Sequence, residues 1–495
     1  MYNRASSYID SFHANINSFV PVLICFILIT PIYLGVGYGI SGINILYIYS
    51  IFQILIIALT QRFVFDTPET LPKLFVFIIT LQNIFIGLAI HLSPGMPINS
   101  IRLLISFTSV YVLVACIAIL FFDAAARRSF FNVSQMLPFE KIAILFIICA
   151  GAYFFKGKAP LFAKFGYLRN FTLFFFIYIL GKLSVKGKGS LKDFFRFLFI
   201  FSFVICVFGF IERFILPESF WLDTLNVLKV TEAKGRGIEE GLLPSVFMTD
   251  FFGVWTRRLA STFAEPVNAA YFFAFTTIAA LVARNIFMMV VAGATLFLTL
   301  GKGGMLVASV TLVVMIAAYT LFRKRMDIKR AVILLPLFVT FINFYVGKFR
   351  GSAAAHMQGL SSLPINLFNY PLGRGLGTGG NWGSIFEVSI IEKRITMTGA
   401  ESMVGTIGHQ MGIIGMLLYI LFFIFMVRYL LKSYRLFLNR GDKYLAKNNL
   451  FAAAIMLGIF MVSLFQENTF GPQAGGIYFL FIGMVVGTNK LAEND

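Results

Sequence analysis

Residues 402–430 read SMVGTIGHQMGIIGMLLYILFFIFMVRYL, a run with no formal charge before Arg428. About 20 apolar residues suffice to cross a bilayer as a helix, and this run is longer than that. A basic segment, residues 428–447, follows with Arg428, Lys432, Arg435, Arg440, Lys443 and Lys447, and a second apolar run covers 449–466. Two apolar runs joined by a short, positively charged connection read as a pair of membrane helices whose connection faces the cytoplasm.

The pattern extends through the chain. Further apolar runs fall near 19–40, 44–61, 72–92, 101–122, 141–155, 168–184, 196–216, 269–284, 285–301, 303–322, 331–347 and 473–489, which makes about fourteen helices in all. With the N-terminus cytoplasmic, alternation also places the basic loops 182–196 (Lys182, Lys186, Lys188, Lys192, Arg196) and 323–330 (Arg323, Lys324, Arg325, Lys329, Arg330) inside, together with the C-terminus. The fold class expected is therefore all-α, a polytopic integral membrane protein. Composition agrees: 59% of residues are hydrophobic and 13% charged, and the mean hydropathy is +0.85, outside the range of soluble domains. A net charge of +19 could suggest nucleic acid, but no basic soluble domain is present to bind it, and positive cytoplasmic loops account for much of the charge. Cys25, Cys116, Cys149 and Cys206 all lie in apolar runs without CxxC or Cys/His spacing, so neither a disulfide framework nor a zinc site is expected. The polar N-terminus, up to about Asn17, lacks a small-residue cleavage site, so the first apolar run reads as an anchor.

Two long polar segments interrupt the helices, residues 218–268 and 348–400, and alternation puts both outside. They divide a single membrane domain, 1–495, into an N-terminal helical half (1–217), the first outer loop (218–268), a helical group (269–347), the second outer loop (348–400) and C-terminal helices (401–495). Arg257, Arg258, Arg350, Arg374, Lys393 and Arg394 lie in or beside these loops, and Lys302 sits in a tight outer turn, Gly301-Lys302-Gly303-Gly304. Long loops translocate regardless of charge, and arginines also anchor headgroups, so part of this excess needs no function. Guanidinium groups gathered at one membrane face also suit a phosphate-bearing lipid, whose oxygens they bind bidentately.

No Walker A sequence, HExxH, Asp-x-Asp pair or GxSxG elbow occurs, which removes most support for nucleotide hydrolysis, zinc proteolysis, metal-dependent use of nucleotide sugars and Ser-hydrolase chemistry. Three stretches remain. The first is Arg258-Leu-Ala-Ser-Thr-Phe-Ala-Glu-Pro-Val-Asn268. The second is Leu298-Thr-Leu-Gly301-Lys302-Gly303-Gly304. The third runs from Arg350 through Pro371-Leu-Gly-Arg374-Gly-Leu-Gly377 to Glu401-Ser402 and Gly412-Ile-Ile-Gly415. Together, over roughly residues 245–425, they resemble the lipid-linked polysaccharide polymerases and ligases of bacterial surface assembly, the O-antigen polymerases (Wzy) and O-antigen ligases (WaaL). Against the family's Arg-x-x-Gly-Thr-Phe, Ser261 replaces the glycine; against its Ser-Arg-Gly, Lys302 keeps the charge and loses the fork. Ligases carry a His-Asn or His-Ser pair where this chain has Glu401-Ser402, which favours polymerase. His409 is out of register with that position.

The resemblance implies a glycosyltransferase in the bacterial inner membrane, with its site facing the periplasm and no cofactor or metal. It polymerises undecaprenyl-pyrophosphate-linked oligosaccharide units, with membrane lipid and a chain-length regulator protein as partners. Glu401 would be the catalytic base, and Arg257, Arg258, Lys302, Arg350, Arg374 and His356 would hold pyrophosphate or sugar. On a continuous helix Glu401, Gly405, Gly408, Gly412 and Gly415 share one sector, which turns Glu401 inward; a capping box from Thr398 to Glu401 is the structural alternative. The rival readings are ligase-type transfer to a lipid or protein acceptor and, in another class, a transporter for the lipid-linked unit, which would place charged or broken helices near the midplane. Lys156, Lys158, Lys164 and Arg169 form a further outer basic segment, and Gln466-Glu467-Asn468 lies at an outer helix end.

Overall fold

The computed structural model describes residues 68–92, 94–102, 104, 105, 109, 112, 136–234, 241–251, 253–322, 360–380 and 402–494. Twelve helices are labelled in chain order: α1 (Thr70–Leu92), α2 (Pro138–Phe154), α3 (Leu161–Leu183), α4 (Lys188–Phe214), α5 (Val227–Ala233), α6 (Pro266–Ala283), α7 (Ile286–Leu298), α8 (Lys302–Phe322), α9 (Leu363–Asn369), α10 (Met403–Asn439), α11 (Lys443–Ser463) and α12 (Gly476–Asn494). Ten of the apolar runs coincide with α1 to α4, α6 to α8 and α10 to α12. The runs at 19–40, 44–61 and 331–347, and most of 101–122, lie outside the described residues. Helix ends differ because basic residues extend the helices: Lys188, Lys192 and Arg196 belong to the first turns of α4, and α10 continues past Arg428, Lys432 and Arg435 to Asn439.

By length and composition α1, α4, α6, α10 and α11 are long and apolar enough to cross a membrane, and α7 and the Lys302–Ala318 part of α8 are shorter apolar helices. Their outward faces are apolar too. Phe203, Val204, Val207 and Ile211 on α4, Phe287 and Val290 on α7, and Leu417, Leu421 and Ile424 on α10 are all exposed. A bundle with large apolar side chains outside and small or aromatic ones inside is built for lipid. This is a helical membrane protein.

Close packing follows from small residues. At the α3–α12 crossing, Gly181 faces the Leu480 carbonyl and Gly483 faces the Tyr178 carbonyl so closely that any side chain would collide with backbone. α10 packs along α2 and α11; α11 packs on α8; α6 contacts α7 and α8. Phenylalanines fill the centre, with Phe174 stacked on Phe470 at 4.4 Å and Phe275, Phe451 and Phe481 in mutual contact.

The polar segment after α4 is folded. It holds a π-helical turn (Phe220–Thr224), α5 and a hairpin of β1 (Met248–Phe251) and β2 (Val254–Arg257), paired antiparallel from Met248↔Arg257 to Phe251↔Val254. The hairpin modifies the all-α expectation locally: Asp250 Oδ1 accepts from the Gly253 N–H at the turn, and Gly253 has φ of 82°. Trp221, Leu225, Val227, Leu243, Phe247 and Ala260 form a small core of their own beneath it. The N-cap of α10 is Ser402, whose hydroxyl accepts from the Gly405 N–H at 3.0 Å; the expected capping box of Thr398 and Glu401 lies outside the described residues. The helix also breaks at Gly412 (φ 64°, ψ −154°), so Gly415 is not in phase with Gly405 and Gly408 and the single-sector argument fails there.

Candidate functional site

The C-terminal ends of α1, α2, α4, α7 and α11 and the N-terminal ends of α3, α6, α8, α10 and α12 meet at one end of the bundle, here called the loop end. Two polar assemblies form there.

The first starts from Glu212 in the last turn of α4. Its carboxylate is fully buried. Oε1 accepts from Trp221 Nε1 (3.0 Å) and Arg257 Nη2 (3.1 Å), and Oε2 accepts from the Ala260 and Ser261 N–H groups (3.2 Å each). Arg257 also donates to the Glu212 carbonyl at the end of α4. Its charge therefore faces Glu212 and a helix C-terminus, where cations are favoured. Glu212 thus fixes the chain from 257 to 261, and the next arginine is aimed by it. Arg258 Nε donates to the Thr299 carbonyl (2.9 Å) and Nη1 to the Val246 carbonyl (3.1 Å), while its backbone N–H donates to Phe247 (2.7 Å). Thr299 is the C-cap of α7, and Lys302 opens α8 three residues later, so Arg258 and Lys302 share one turn. Backbone strain gathers here: Ser261, Ala264 and Leu300 have φ of 49°, 46° and 48°. Ser261 occupies the left-handed position that glycine favours, held by Oγ donating to the Ile205 carbonyl at 2.8 Å.

The second assembly surrounds Pro371–Gly380. Because Gly412 takes a backbone conformation nearly exclusive to glycine, α10 opens and its freed groups bond to this loop. The Arg374 N–H donates to the His409 carbonyl (3.0 Å), the Gly375 N–H to the Gln410 carbonyl (2.9 Å), and the Ile413 N–H to the Pro371 carbonyl (2.9 Å). Gln410 Nε2 donates to the Gly379 carbonyl (2.9 Å). From the other side the α2–α3 turn clamps the loop: Lys156 Nζ donates to the Leu372 carbonyl (2.9 Å) and the Leu376 N–H to the Tyr153 carbonyl (3.1 Å). Gly375 (φ 100°) lies against the Lys156 carbonyl, where no Cβ fits. The Arg374 guanidinium stands 4.9 Å over the Tyr370 ring. His409 is buried, and among the described residues neither ring nitrogen meets hydrogen-bond geometry, although the Thr378 backbone lies close by.

Residues 466–467 join the two assemblies. Gln466 Oε1 accepts from Tyr271 (2.6 Å) beside Gly303, and the buried Glu467 accepts from Tyr167 (2.5 Å) beside Gly380. A chain of polar side chains continues outward: Lys234 pairs with Glu265 (2.7 Å), Asn268 Nδ2 donates to Glu265 and Gln473, and Gln473 donates to Gln82.

Of the expected site residues, Arg257, Arg258, Lys302 and Arg374 all lie at the loop end, the first three in one assembly and Arg374 in the other. Glu401, Arg350 and His356 lie outside the described residues, as do Lys393 and Arg394. Lys156 and Lys164 hold backbone carbonyls, Lys164 Nζ that of Gly157 at 2.8 Å. Sequence reading missed Glu212, although a carboxylate inside an apolar run is itself a signal. It set His409 aside on register alone. Among the described residues no group of His, Cys, Asp and Glu converges to hold a metal ion. Neither a family model nor a curated protein matches this chain.

Proposed function

We propose that the chain is an inner-membrane glycosyltransferase that polymerises oligosaccharide repeats carried on a lipid pyrophosphate, with about fourteen spans, both termini cytoplasmic and the loop end facing the periplasm. The observation that supports this reading best is the placement of Arg258, Lys302 and Arg374 at one end of the bundle, on the three motifs that carry the resemblance, with Arg258 and Arg374 held by backbone bonds of irregular segments and Lys302 opening α8. The left-handed Ser261, where the resembled pattern has glycine, supports it independently.

In this reading the arginines hold the donor pyrophosphate. The acceptor sugar hydroxyl attacks the donor anomeric carbon, forming the new C–O bond as the bond from that carbon to phosphate oxygen breaks. The electron pair leaves on the pyrophosphate, and the hydroxyl proton passes to Glu401, which immediately precedes the α10 N-cap. Two or three charge-assisted hydrogen bonds of about 1.5–3 kcal/mol each supply a large share of the roughly 8 kcal/mol or more that enzymes provide. Glu401 in place of the ligase histidine favours polymerisation over ligation.

Purified protein incubated with its lipid-pyrophosphate-linked repeat alone should yield a ladder of repeats on a gel. A single transfer that requires a separate acceptor would indicate a ligase, and translocation without transfer would indicate a transporter; either outcome overturns the proposal.

A further inference from the structure

The short helix α9 carries apolar side chains on two faces. Leu363 and Leu367 turn inward against Gly408 of α10. Ile365 and Phe368 turn outward, 61% and 87% exposed, and the turn that follows leaves Tyr370 and Leu372 exposed as well. Phe155, 86% exposed, flanks them, because Nζ of the next residue, Lys156, donates to the Leu372 carbonyl. Large apolar side chains grouped in this way on the outside of a protein mark a surface that is covered. The patch is continuous with the lipid-facing side of α10: the Ile413 N–H donates to the Pro371 carbonyl, and from Ile413 the exposed stripe runs through Ile414, Leu417, Leu421 and Ile424. Charge fixes the level of that stripe. The nineteen residues from Ile413 to the exposed Lys432 rise about 29 Å as a helix, close to the roughly 30 Å thickness of the hydrocarbon core. Arg428, one turn short of Lys432, is exposed and long enough to reach the same boundary. With Lys432 at one hydrocarbon boundary, Ile413 and the α9 turn lie at the other. Cations border the patch there too: Lys156 is exposed, and the Arg374 guanidinium stands over the Tyr370 ring.

We infer that α9, the Pro371–Leu372 turn and Phe155 form an interfacial anchor seated in the leaflet at the loop end. Their outward apolar side chains enter the acyl boundary, and Lys156 and Arg374 lie at the depth of the phospholipid phosphates. The occupant of this face is phospholipid. Arg374 is then reached from within the leaflet, by a lipid-borne phosphate moving laterally, and the anchor stands whether or not that lipid carries sugar.

Quenching by brominated lipids tests the anchor. Phe368→Trp and Phe155→Trp are placed in nanodiscs of phosphatidylcholine brominated either near the glycerol end of the acyl chain or near its terminal methyl. Their emission is compared with that of the unsubstituted protein, which has three tryptophans. Both sites are exposed, so tryptophan fits, and Ile365→Trp replaces either variant that does not fold. Ile424→Trp, eleven residues along α10 from Ile413 and thus about 16 Å deeper, marks the bilayer centre. The added emission at positions 368 and 155 should be lost chiefly to the shallow bromines, that at 424 chiefly to the deep ones, and aqueous iodide should affect none of them. Emission at 368 and 155 that resists both lipids overturns the inference: quenching by iodide would place the face in water, and no quenching would place it beneath protein. Loss to the deep bromines equal to that at 424 overturns it too, because α9 would then lie at the bilayer centre. The repeat-unit ladder is read on the same preparations. A ladder with unquenched Phe368→Trp would leave the polymerase reading intact and remove the anchor, whereas shallow quenching without a ladder keeps the anchor and removes polymerisation.

Discussion

The two ends of the bundle use the same side chains differently. At the end opposite the loops, Glu140 in the first turn of α2 is buried and fully engaged: Oε2 accepts from the Leu137 N–H at 2.9 Å, and Oε1 accepts from Tyr178 and Lys182 at 2.5 Å each. Asp442 caps α11 through the Leu445 N–H at 3.0 Å and pairs with Lys188 at 2.5 Å. Each carboxylate there closes a helix terminus. At the loop end, Glu212 orders a strained segment and α10 is broken at Gly412. Among the described residues, four of the five left-handed non-glycine residues, Asn226, Ser261, Ala264 and Leu300, lie there, and the fifth, Arg284, lies at the other end. Left-handed backbone is thus concentrated at the loop end, where the proposed function would place substrate.

The largest expected effect is at Glu212. Glu212→Ala leaves Arg257 as a buried charge without its counter-ion and frees the Ala260 and Ser261 N–H groups, a loss of about 3–5 kcal/mol for breaking a buried pair. Thermal unfolding in detergent should show a large drop in Tm, and an unchanged Tm would remove Glu212 as the organiser of the loop end. Gly412→Ala comes next. Its Cβ would strike Pro371, Leu372 and Gly373, adding to a backbone strain of roughly 1–3 kcal/mol. Gly189→Ala, in a first turn at the opposite end with open space around it, should instead be neutral or stabilising by up to about 1 kcal/mol. Equal responses of the two glycines would erase the distinction between the ends. Arg374→Lys should keep the fold and lose most chain elongation, since an ammonium lacks the planar fork; wild-type chain lengths in that variant would remove Arg374 from the site.

The smallest effect is at Asp442. Partial burial alone would push its carboxyl up, but the Leu445 N–H, the Lys188 ammonium and the Tyr444 N–H outweigh it and hold the carboxyl below its ordinary value of 3.8. Its contribution is therefore fully present above that value and disappears as pH falls through the lower, folded one. Asp442→Ala should cost about 1 kcal/mol, mostly through the lost cap. A Tm difference between wild type and variant that persists unchanged well below pH 3.8 would contradict this origin.

Helix positions were legible in the sequence because lipid demands long apolar runs, and ten runs sufficed to locate ten helices. The motif arginines could be picked out because charges at a membrane surface are conspicuous. What could not be read was which of them hold backbone: the side chains of Arg257, Arg258, Lys156 and Lys164 donate to carbonyls, whereas the Arg374 guanidinium stands over the Tyr370 ring, and only the tertiary structure separates them. The break in α10 also escaped the sequence, because Gly412 sits in a run whose composition is that of an unbroken helix, and its conformation is dictated by Pro371 and Gly373 some forty residues earlier. His409 was judged by register along a continuous helix, and that register ends at Gly412.

Photo-crosslinking tests the contrast between the ends most directly. A short polyprenyl pyrophosphate carrying a photoreactive group beside its phosphates is bound to the protein in nanodiscs, irradiated, and the labelled peptides are mapped. Labels confined to segments 256–266, 298–304, 370–380 and 402–412 are the predicted result. Labels around Glu140, Lys182 and Asp442, or spread evenly over both ends, would contradict the account.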